Sequence, residues 1–549
     1  MNLVLLETSG NQAYIFATNK LRENVGASEL TYRAGTKFVL DAVAASTGEP
    51  SLWNEDPNQF RNNLKESRLT QQQSATVIVA TSGKALVLVE NEETGRKIIE
   101  HATRTALVEA PGLDLCGVVS QAFAWDSEEV WIKVGEVHQT LEKLRSQRAG
   151  IQHRFSRLPF FASCNSSGLP AYDVVTDGGR PWDISRTSLT KRNSDGQWKC
   201  RVDRLTENKQ LYQSIVELEK HLGQMSWLGV VHADGNGLGK IFLEFHQYIE
   251  NLSNQSFLEQ LREFSIALEE ATEAAFNQAL NEIVMRYEEK KHGRLRVPVI
   301  PLVLGGDDLT AICTGEQAIR FTREYLQAFE QQTSARGNLA AVAKKALGCG
   351  RLSACAGVAI VKPHFPFHSA YTLAEQLLQS AKDVKRHVHH TDDKQEPYPC
   401  SAIDFHILYD STFSDLDDIR ERLIVDDGST SLTAKPYVVT DIAELNGARE
   451  DWADLHHIEG LDLRVRTINN KDDDGRPRLP NSQLHQLRDA LFGGHDQANS
   501  QLKLIYQRYE KQGLNQIVED DATLFRQNLD KVRETRFLDA LDVAPFWDV

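Results

Sequence analysis

Three aspartates have the types and spacing that promise chemistry. Asp307 and Asp308 are adjacent in the stretch 297–313, VPVIPLVLGGDDLTAIC. The apolar runs 297–304 and 309–313 flank Gly305, Gly306, Asp307 and Asp308. Strand, glycine turn, strand is a hairpin signature. A turn needs only one small polar residue at its tip, whereas this one holds two carboxylates side by side. Adjacent carboxylates repel, and one takes up a proton unless a cation lies between them. A hard divalent cation with oxygen ligands resolves that conflict. A third carboxylate, Asp234, follows the apolar run WLGVVHA (227–233) and opens the sequence DGNGLGK, Asp234 to Lys240. Its glycines, Gly235, Gly237 and Gly239, let the backbone approach a charged ligand closely. Asp234, Asp307 and Asp308 on neighbouring strands suit two magnesium ions about 4 Å apart, placed for in-line displacement at phosphorus.

Strands and helices must bring that set together. Residues 227–233 predict a buried strand ending at Asp234. After Lys240 the chain predicts helix through Asn281, with Leu258, Leu261, Phe264, Ala267, Leu268, Ala271 and Ala275 at helical spacing. The segment EEKKHGRLR (288–296) reads as a solvated basic connector into the hairpin. Beyond the hairpin, 314–331 predicts an amphipathic helix and 352–361 a buried strand. A helix over 369–386 places Ala370, Leu373, Leu377 and Ala381 on one face and Lys382 and Lys385 in its last turns. Cations favour a helix C-terminus. His387, His389 and His390, with Asp392 and Asp393, read as a polar, solvated helix end rather than a metal cluster.

The same pattern occurs earlier. Apolar runs ATVIVA (75–80) and ALVLV (85–89) flank Thr81, Ser82, Gly83 and Lys84, repeating strand–turn–strand without carboxylates. An apolar strand over 3–6 runs into Glu7, which stands where Asp234 stands in the later unit. This is the pattern of an internal duplication whose first copy has lost its metal ligands. Lys84 reads as a solvated turn lysine, with a phosphate contact as the alternative.

The segments DGNGLGK, RVPVIPLVLGGDDLT (296–310) and AGVAIVKPHFPFHSAYTLAEQLLQSAKDVKR (356–386) resemble the catalytic palm of the large subunit of type III CRISPR effector complexes, the Cmr-type CRISPR polymerase. ETSGNQAYIFATNKLRENVGASEL (7–30) resembles the opening of that family's first, usually inactive, palm. The resemblance implies an α+β chain with two ferredoxin-like palms related to nucleotide cyclases and GGDEF enzymes. The expected parts are a degenerate first palm (1–153), an inter-palm connector (154–222), a catalytic palm with a helical insertion (223–405) and a C-terminal helical domain (406–549). The implied activity is conversion of ATP into cyclic oligoadenylates by two Mg2+ or Mn2+ ions, in antiviral signalling. The implied catalytic residues are Asp234, Asp307 and Asp308, with Gly235 among the metal positions. Implied nucleotide contacts are Gly235, Asn236, Gly237, Gly239, Lys240, Ser265, Gly305, Gly306, Lys382 and Lys385. Ser265 falls where the family sets a helix against the base, and the two lysines fall where it clamps phosphate. Rival readings are a cyclic dinucleotide synthase and a catalytically silent scaffold of a guide-RNA effector complex.

Two departures from the family pattern bear on function. Relatives carry a His-Asp nuclease domain before the first palm, whereas here the one His-Asp pair is His495-Asp496 in a late loop, so no DNA-cutting activity is expected. The family's cysteine-containing knuckle is matched by FFASCNSSGLPA (160–171), where C-x-x-C is replaced by Cys164-Asn165-Ser166-Ser167. Hydroxyl is a poor substitute for thiolate on zinc, so no zinc is expected.

Composition bounds the rest. A chain of 549 residues has room for three or four domains. At 41% hydrophobic and 25% charged it has the composition of an ordinary soluble protein. A net charge of −16 makes a weak direct nucleic-acid binder, so guide RNA and other effector subunits would enter as partners through a local groove or a neighbouring chain. Seven scattered cysteines and the absence of signal-peptide features in MNLVLLETSG predict a cytoplasmic protein away from membranes.

Overall fold

The computed structural model describes residues 1–69, 73–150, 154–155, 158–206, 227–290, 299–391, 396–409, 415–445, 450–519, 522–528 and 531–547, without the side chains of 284–290 and 450–451. Val297, Pro298, Asp392, Asp393, most of the basic connector and the connector beyond 206 lie outside them.

Two sheets share one plan. In the first, β1 (Asn2–Ser9) lies between β3 (Lys84–Val89) and β4 (Asp114–Val119), and β2 (Ala75–Thr81) flanks β3, giving the order β2-β3-β1-β4. Its helices are α1 (Asn11–Ile15), α2 (Leu21–Gly35), α3 (Lys37–Thr47), α4 (Pro57–Glu66), α5 (Glu92–Glu109) and α6 (Val130–Gln147). Local sequence sets several of their starts. Asp56 caps α4 with Pro57 at its first position, and Asn91 caps α5 by accepting from the Thr94 amide. A hairpin, β5 (Asp173–Asp177) and β6 (Arg180–Ile184), precedes α7 (Arg186–Asn193) and α8 (Asp195–Leu205) in the connector.

In the second sheet, β7 (Leu228–Gly235), β8 (Val299–Gly305), β9 (Asp308–Thr314) and β10 (Ala354–Val361) run in the order β10-β7-β9-β8. Both sheets are therefore the antiparallel 4-1-3-2 arrangement of a ferredoxin-like unit. The likeness extends to detail. Each hairpin ends in a two-residue turn, with Thr81 paired to Lys84 and Gly305 to Asp308. Each first strand has a register shift three residues before its end, at Ile78 and at Leu302. Glu7 pairs with Lys84, and one step beyond the Ala233–Leu309 pair the second ladder brings Asp234 level with Asp308.

Helices cover both faces of the second sheet, which is why its strands read as unbroken apolar runs. Those helices are α9 (Leu238–Leu243), α10 (Phe245–Tyr248), α11 (Asn254–Lys290), α12 (Gly315–Ser334), α13 (Gly337–Leu347) and α14 (Phe367–Lys382). On β10, Gly357 abuts Ala374 of α14, while Ile360 on the other face abuts Gly315 of α12.

Two helix expectations are corrected. The helix expected from Lys240 to Asn281 breaks after Tyr248 and restarts at Asn254. There the Asn251 side chain accepts from the Ser253 amide, while Asn254 donates to the Trp125 and Glu128 carbonyls and accepts from the Val130 amide. Such side-chain bonds compete with helix. The helix expected over 369–386 is α14 followed by a 3-10 turn, Asp383–Arg386. The palm sheet also extends past residue 405. Strand β11 (Ala402–Ile407) pairs in parallel with β10, and Tyr437–Val438 pairs with β11. The C-terminal region has helices Ile458–Asn469, Asn481–Leu491, His495–Tyr509 and Phe537–Val543, plus a small sheet of two-residue strands that the sequence did not signal.

The two palms pack directly. Arg61 of α4 reaches Glu273 at 2.6 Å and Glu269 at 3.9 Å on α11. Arg262 of α11 donates to the carbonyls of Leu64 (3.1 Å), Ser67 (2.7 Å) and Val77. Elsewhere the Phe16 ring stacks on Tyr371 of α14 with centroids 4.0 Å apart, and the Phe367 amide donates to Asn19.

Candidate active site

Asp234 ends β7, and Asp307 and Asp308 stand at the tip joining β8 to β9. One oxygen from each carboxylate lies within 4.8 Å of the others. Among the described residues this is the one cluster of three or more His, Cys, Asp or Glu side chains able to converge on a metal ion. The turn has a reason for its glycine: Gly306 adopts φ +64°, which favours glycine over other residues. Its carbonyl accepts from Thr272 of α11 at 2.6 Å, which pins the tip to the helix. A close approach explains the glycine after Asp234. A Cβ on Gly235 would lie 2.4 Å from Leu238 Cδ1 and 2.9 Å from Asp307 Oδ2, so the Asp307 carboxylate rests against bare backbone.

The electrostatics follow from crowding. Burial and the charge of Asp234 push the Asp307 carboxyl up to about 7. Burial, Asp307 and a hydrogen bond with Asp234 push Asp308 well above its usual range. Burial acts in the same sense on Asp234, but hydrogen bonding from Asp308 and the ammonium of Lys382 outweigh it and hold its carboxyl low. One ammonium thus serves three carboxylates. An all-oxygen, net-negative donor set of this kind fits a hard divalent cation.

Other expected contacts are placed as follows. Lys382 is at the site, as the partner of Asp234, while Lys385 is exposed in the 3-10 turn. Gly237 caps α9, and Gly239 and Lys240 lie exposed on α9. Asn236 turns away into the fold: its amide group donates to Ser353 Oγ (3.0 Å) and the Cys400 carbonyl (3.1 Å). Asn236 is therefore a brace of the β7–α9 turn rather than a free ligand contact. Ser265 is buried in α11, two turns before Thr272 and on the same helical face. His390 packs edge-on against Tyr398, and His387 stacks on Trp452.

The first palm offers a contrast at the same ladder positions. Glu7 stands 4.0 Å from Lys84 and 3.5 Å from Arg145, and Arg145 also donates to the Thr8 carbonyl at 2.8 Å. Arg145 lies near the end of the helix before the connector, as Lys382 lies at the end of α14. An acid held by two cations has replaced a cluster of acids. The two hairpin tips meet: a Cβ on Gly305 would lie 3.6 Å from Ser82 Cβ and 3.6 Å from Glu269 Oε1. Sequence reasoning missed Thr272, Arg145 and Glu269, which look like ordinary surface residues of helices and acquire their roles only through tertiary contact.

Residues 227–388 match the family described as Cas10/Cmr2, second palm domain. No curated protein matches the chain. Among solved structures, a Csm1–Csm4 cassette in complex with pppApA is similar at 12% identity and a TM-score of 0.51, covering 99% of this chain and 68% of that one. The cassette in complex with AMPPNP gives 13% identity, a TM-score of 0.48, and 99% and 69% coverage. Csm1 of T. onnurineus gives 12%, 0.47, and 95% and 65%. With the first of these, at 12% identity and a TM-score of 0.51, it is the fold alone that is shared.

Proposed function

We propose that the chain, whose residues 227–388 match the Cas10/Cmr2 second palm domain, is a metal-dependent nucleotidyltransferase that joins ATP into cyclic oligoadenylates within a type III CRISPR effector. The observation that carries this reading is the convergence of Asp234, Asp307 and Asp308 within 4.8 Å on that palm. These carboxylates would hold two divalent ions, which when bound supply charge neutralisation at phosphorus and a more acidic 3′-hydroxyl. Lys382 holds Asp234 in its ionised form and stands ready to exchange that carboxylate for a phosphate oxygen. The backbone at Gly239, with nothing within 4 Å of an added Cβ, is the proposed seat of a triphosphate beside Asp234. Thr272 on α11 holds the Gly306 carbonyl of the tip, and Ser265, two turns earlier on the same helical face, is the proposed contact to the base.

Joining two nucleotides requires an acceptor held beside the donor, because near-attack geometry replaces a bimolecular encounter. The first palm's tip, touching Gly305 through Ser82, supplies a surface for the acceptor, with Lys84 and Arg145 adding positive charge. A Csm4-like subunit and guide RNA are the proposed partners, in line with the cassettes the chain resembles.

The test is incubation of the purified chain, alone and with partner subunits, with labelled ATP or GTP and Mg2+ or Mn2+. Cyclic oligoadenylate that disappears in Asp307→Ala/Asp308→Ala supports the proposal. Guanine-containing cyclic dinucleotide would point to the rival synthase. No product under any condition would leave a scaffold.

A further inference from the structure

The connector closes on four side chains that come in two pairs of equal spacing. Cys164 and Ser167 lie in a tight turn, where the Cys164 amide donates to the Leu169 carbonyl (2.7 Å) and the Gly168 amide to the Cys164 carbonyl (3.0 Å). Ser185 and Ser188 lie at the start of α7, after the β5–β6 hairpin. With cysteine at all four places this would be C-x2-C, a gap of about 15–20 residues and C-x2-C, which is the spacing of a four-thiolate zinc site.

The geometry closes as that spacing requires. Cys164 Sγ is 3.8 Å from Ser188 Oγ, and Ser167 Oγ is 3.1 Å from Ser185 Oγ. Thiolates about 2.3 Å from a tetrahedral zinc stand about 3.8 Å apart. Cys164, Ser185 and Ser188 are buried. Backbone amides of Ser167 and Ser185 and the Ser166 and Ser167 hydroxyls bond to the sulfur, and against the opposing effect of burial they bring its thiol down to about 6. The donor set nevertheless does not fit zinc: one sulfur and three neutral hydroxyls are not the four thiolate or imidazole ligands of a structural site. A hydrogen-bond chain takes its place. Ser166 Oγ lies 3.4 Å from Cys164 Sγ and 3.3 Å from Ser188 Oγ, and donates to the buried Glu23 carboxylate of α2 at 3.0 Å. Arg192 of α7 neutralises Glu23 at 2.9 Å.

We propose that Cys164, Ser167, Ser185 and Ser188 are the corners of a four-ligand metal knuckle whose ligands have been exchanged for hydroxyls, so that hydrogen bonds ending on Glu23 close the connector without zinc. The backbone keeps the ligand geometry, and three Ser→Cys substitutions restore the site.

The test uses the full chain with Ser167→Cys, Ser185→Cys and Ser188→Cys, titrated with Co2+ and assayed for bound zinc. The expected result is one zinc per chain and the absorption of a tetrahedral tetrathiolate cobalt site, both lost when Cys164→Ser is added. Unsubstituted protein is expected to purify without zinc and, with Mg2+ kept in excess, to keep its melting temperature in a zinc-selective chelator. A triple variant that folds only with zinc supplied also supports the proposal. A folded triple variant lacking the cobalt spectrum overturns it, as does stoichiometric zinc at this knuckle in the unsubstituted chain. Should the triple variant fail to fold even with zinc, Ser185→Cys/Ser188→Cys decides: a three-thiolate cobalt signature supports the proposal, and its absence from the folded double variant overturns it.

Discussion

Burial and the charge of Asp234 both favour the protonated form of Asp307, and its behaviour is the most direct handle on the site. In metal-free protein its carboxyl titrates at about 7, above the usual value near 3.8. The folded state then binds this proton more tightly than the unfolded chain does. The stability this contributes is complete below the usual carboxylate range and is lost as pH rises toward 7. In chelator the melting temperature should therefore fall between pH 5 and pH 8 (roughly that window), and Asp307→Asn should flatten the slope. Manganese competes with the same proton, so calorimetric affinity should weaken as pH drops below about 7. Asp307→Ala/Asp308→Ala should lower product by more than about 100-fold while leaving the melting temperature unchanged or raised, since like charges are removed. Unchanged product from that folded variant would remove the metal assignment. At this scale the sequence was informative where chemistry is local: two adjacent acids in a glycine turn stand out without a structure. It was silent on Lys382 as the partner of Asp234, on Asn236 as a brace, and on Ser185 and Ser188 as half of a knuckle. Each of those depends on a residue distant in the chain.

The hairpins are the elements that matter most, and their equivalence was legible because strand–turn–strand with apolar runs recurs at 75–89 and 297–313. The shared register shifts at Ile78 and Leu302 were not, because a bulge leaves no mark in an apolar run. Lys84 occupies the ladder position of Asp308 and pairs with Glu7. If the first tip seats the acceptor, Lys84→Glu should cut product by about 10- to 100-fold and leave manganese affinity unchanged. Equal product from this variant would reduce the first palm to scaffold. The break before α11 was missed because periodicity continues across it, while Asn251 and Asn254 had already committed their side chains elsewhere.

Across the whole molecule the palms share one hydrophobic core, and buried polar contacts cross between them as well. Arg61 is 3% exposed and faces Glu269 and Glu273, so removing it strands two buried carboxylates. Arg61→Ala should cost about 3–5 kcal/mol of stability in denaturant melts. A loss under about 1 kcal/mol would mean that the acids find water or protons instead. Nothing in the sequence distinguished Arg61 or Arg262 from solvated helix residues, so the two-palm plan could be read but not the seat of one palm on the other.

Helix α11 spans 37 residues, about 55 Å, and acts as a beam with several fixed bearings. Asn254 anchors one end to the Trp125 and Glu128 carbonyls. Arg262 and Glu273 fasten its middle to the first palm, and between them Thr272 grips Gly306. The carboxylate tip therefore hangs from a girder that the other palm holds level. A tilt of the first palm that moved α11 would then reach Asp307 and Asp308 through Thr272. Loosening the far bearing with Asn254→Ala, well away from the acids, should speed amide exchange at Gly306 and Asp307 and weaken manganese binding, whereas a tip carried by its own sheet alone would register neither.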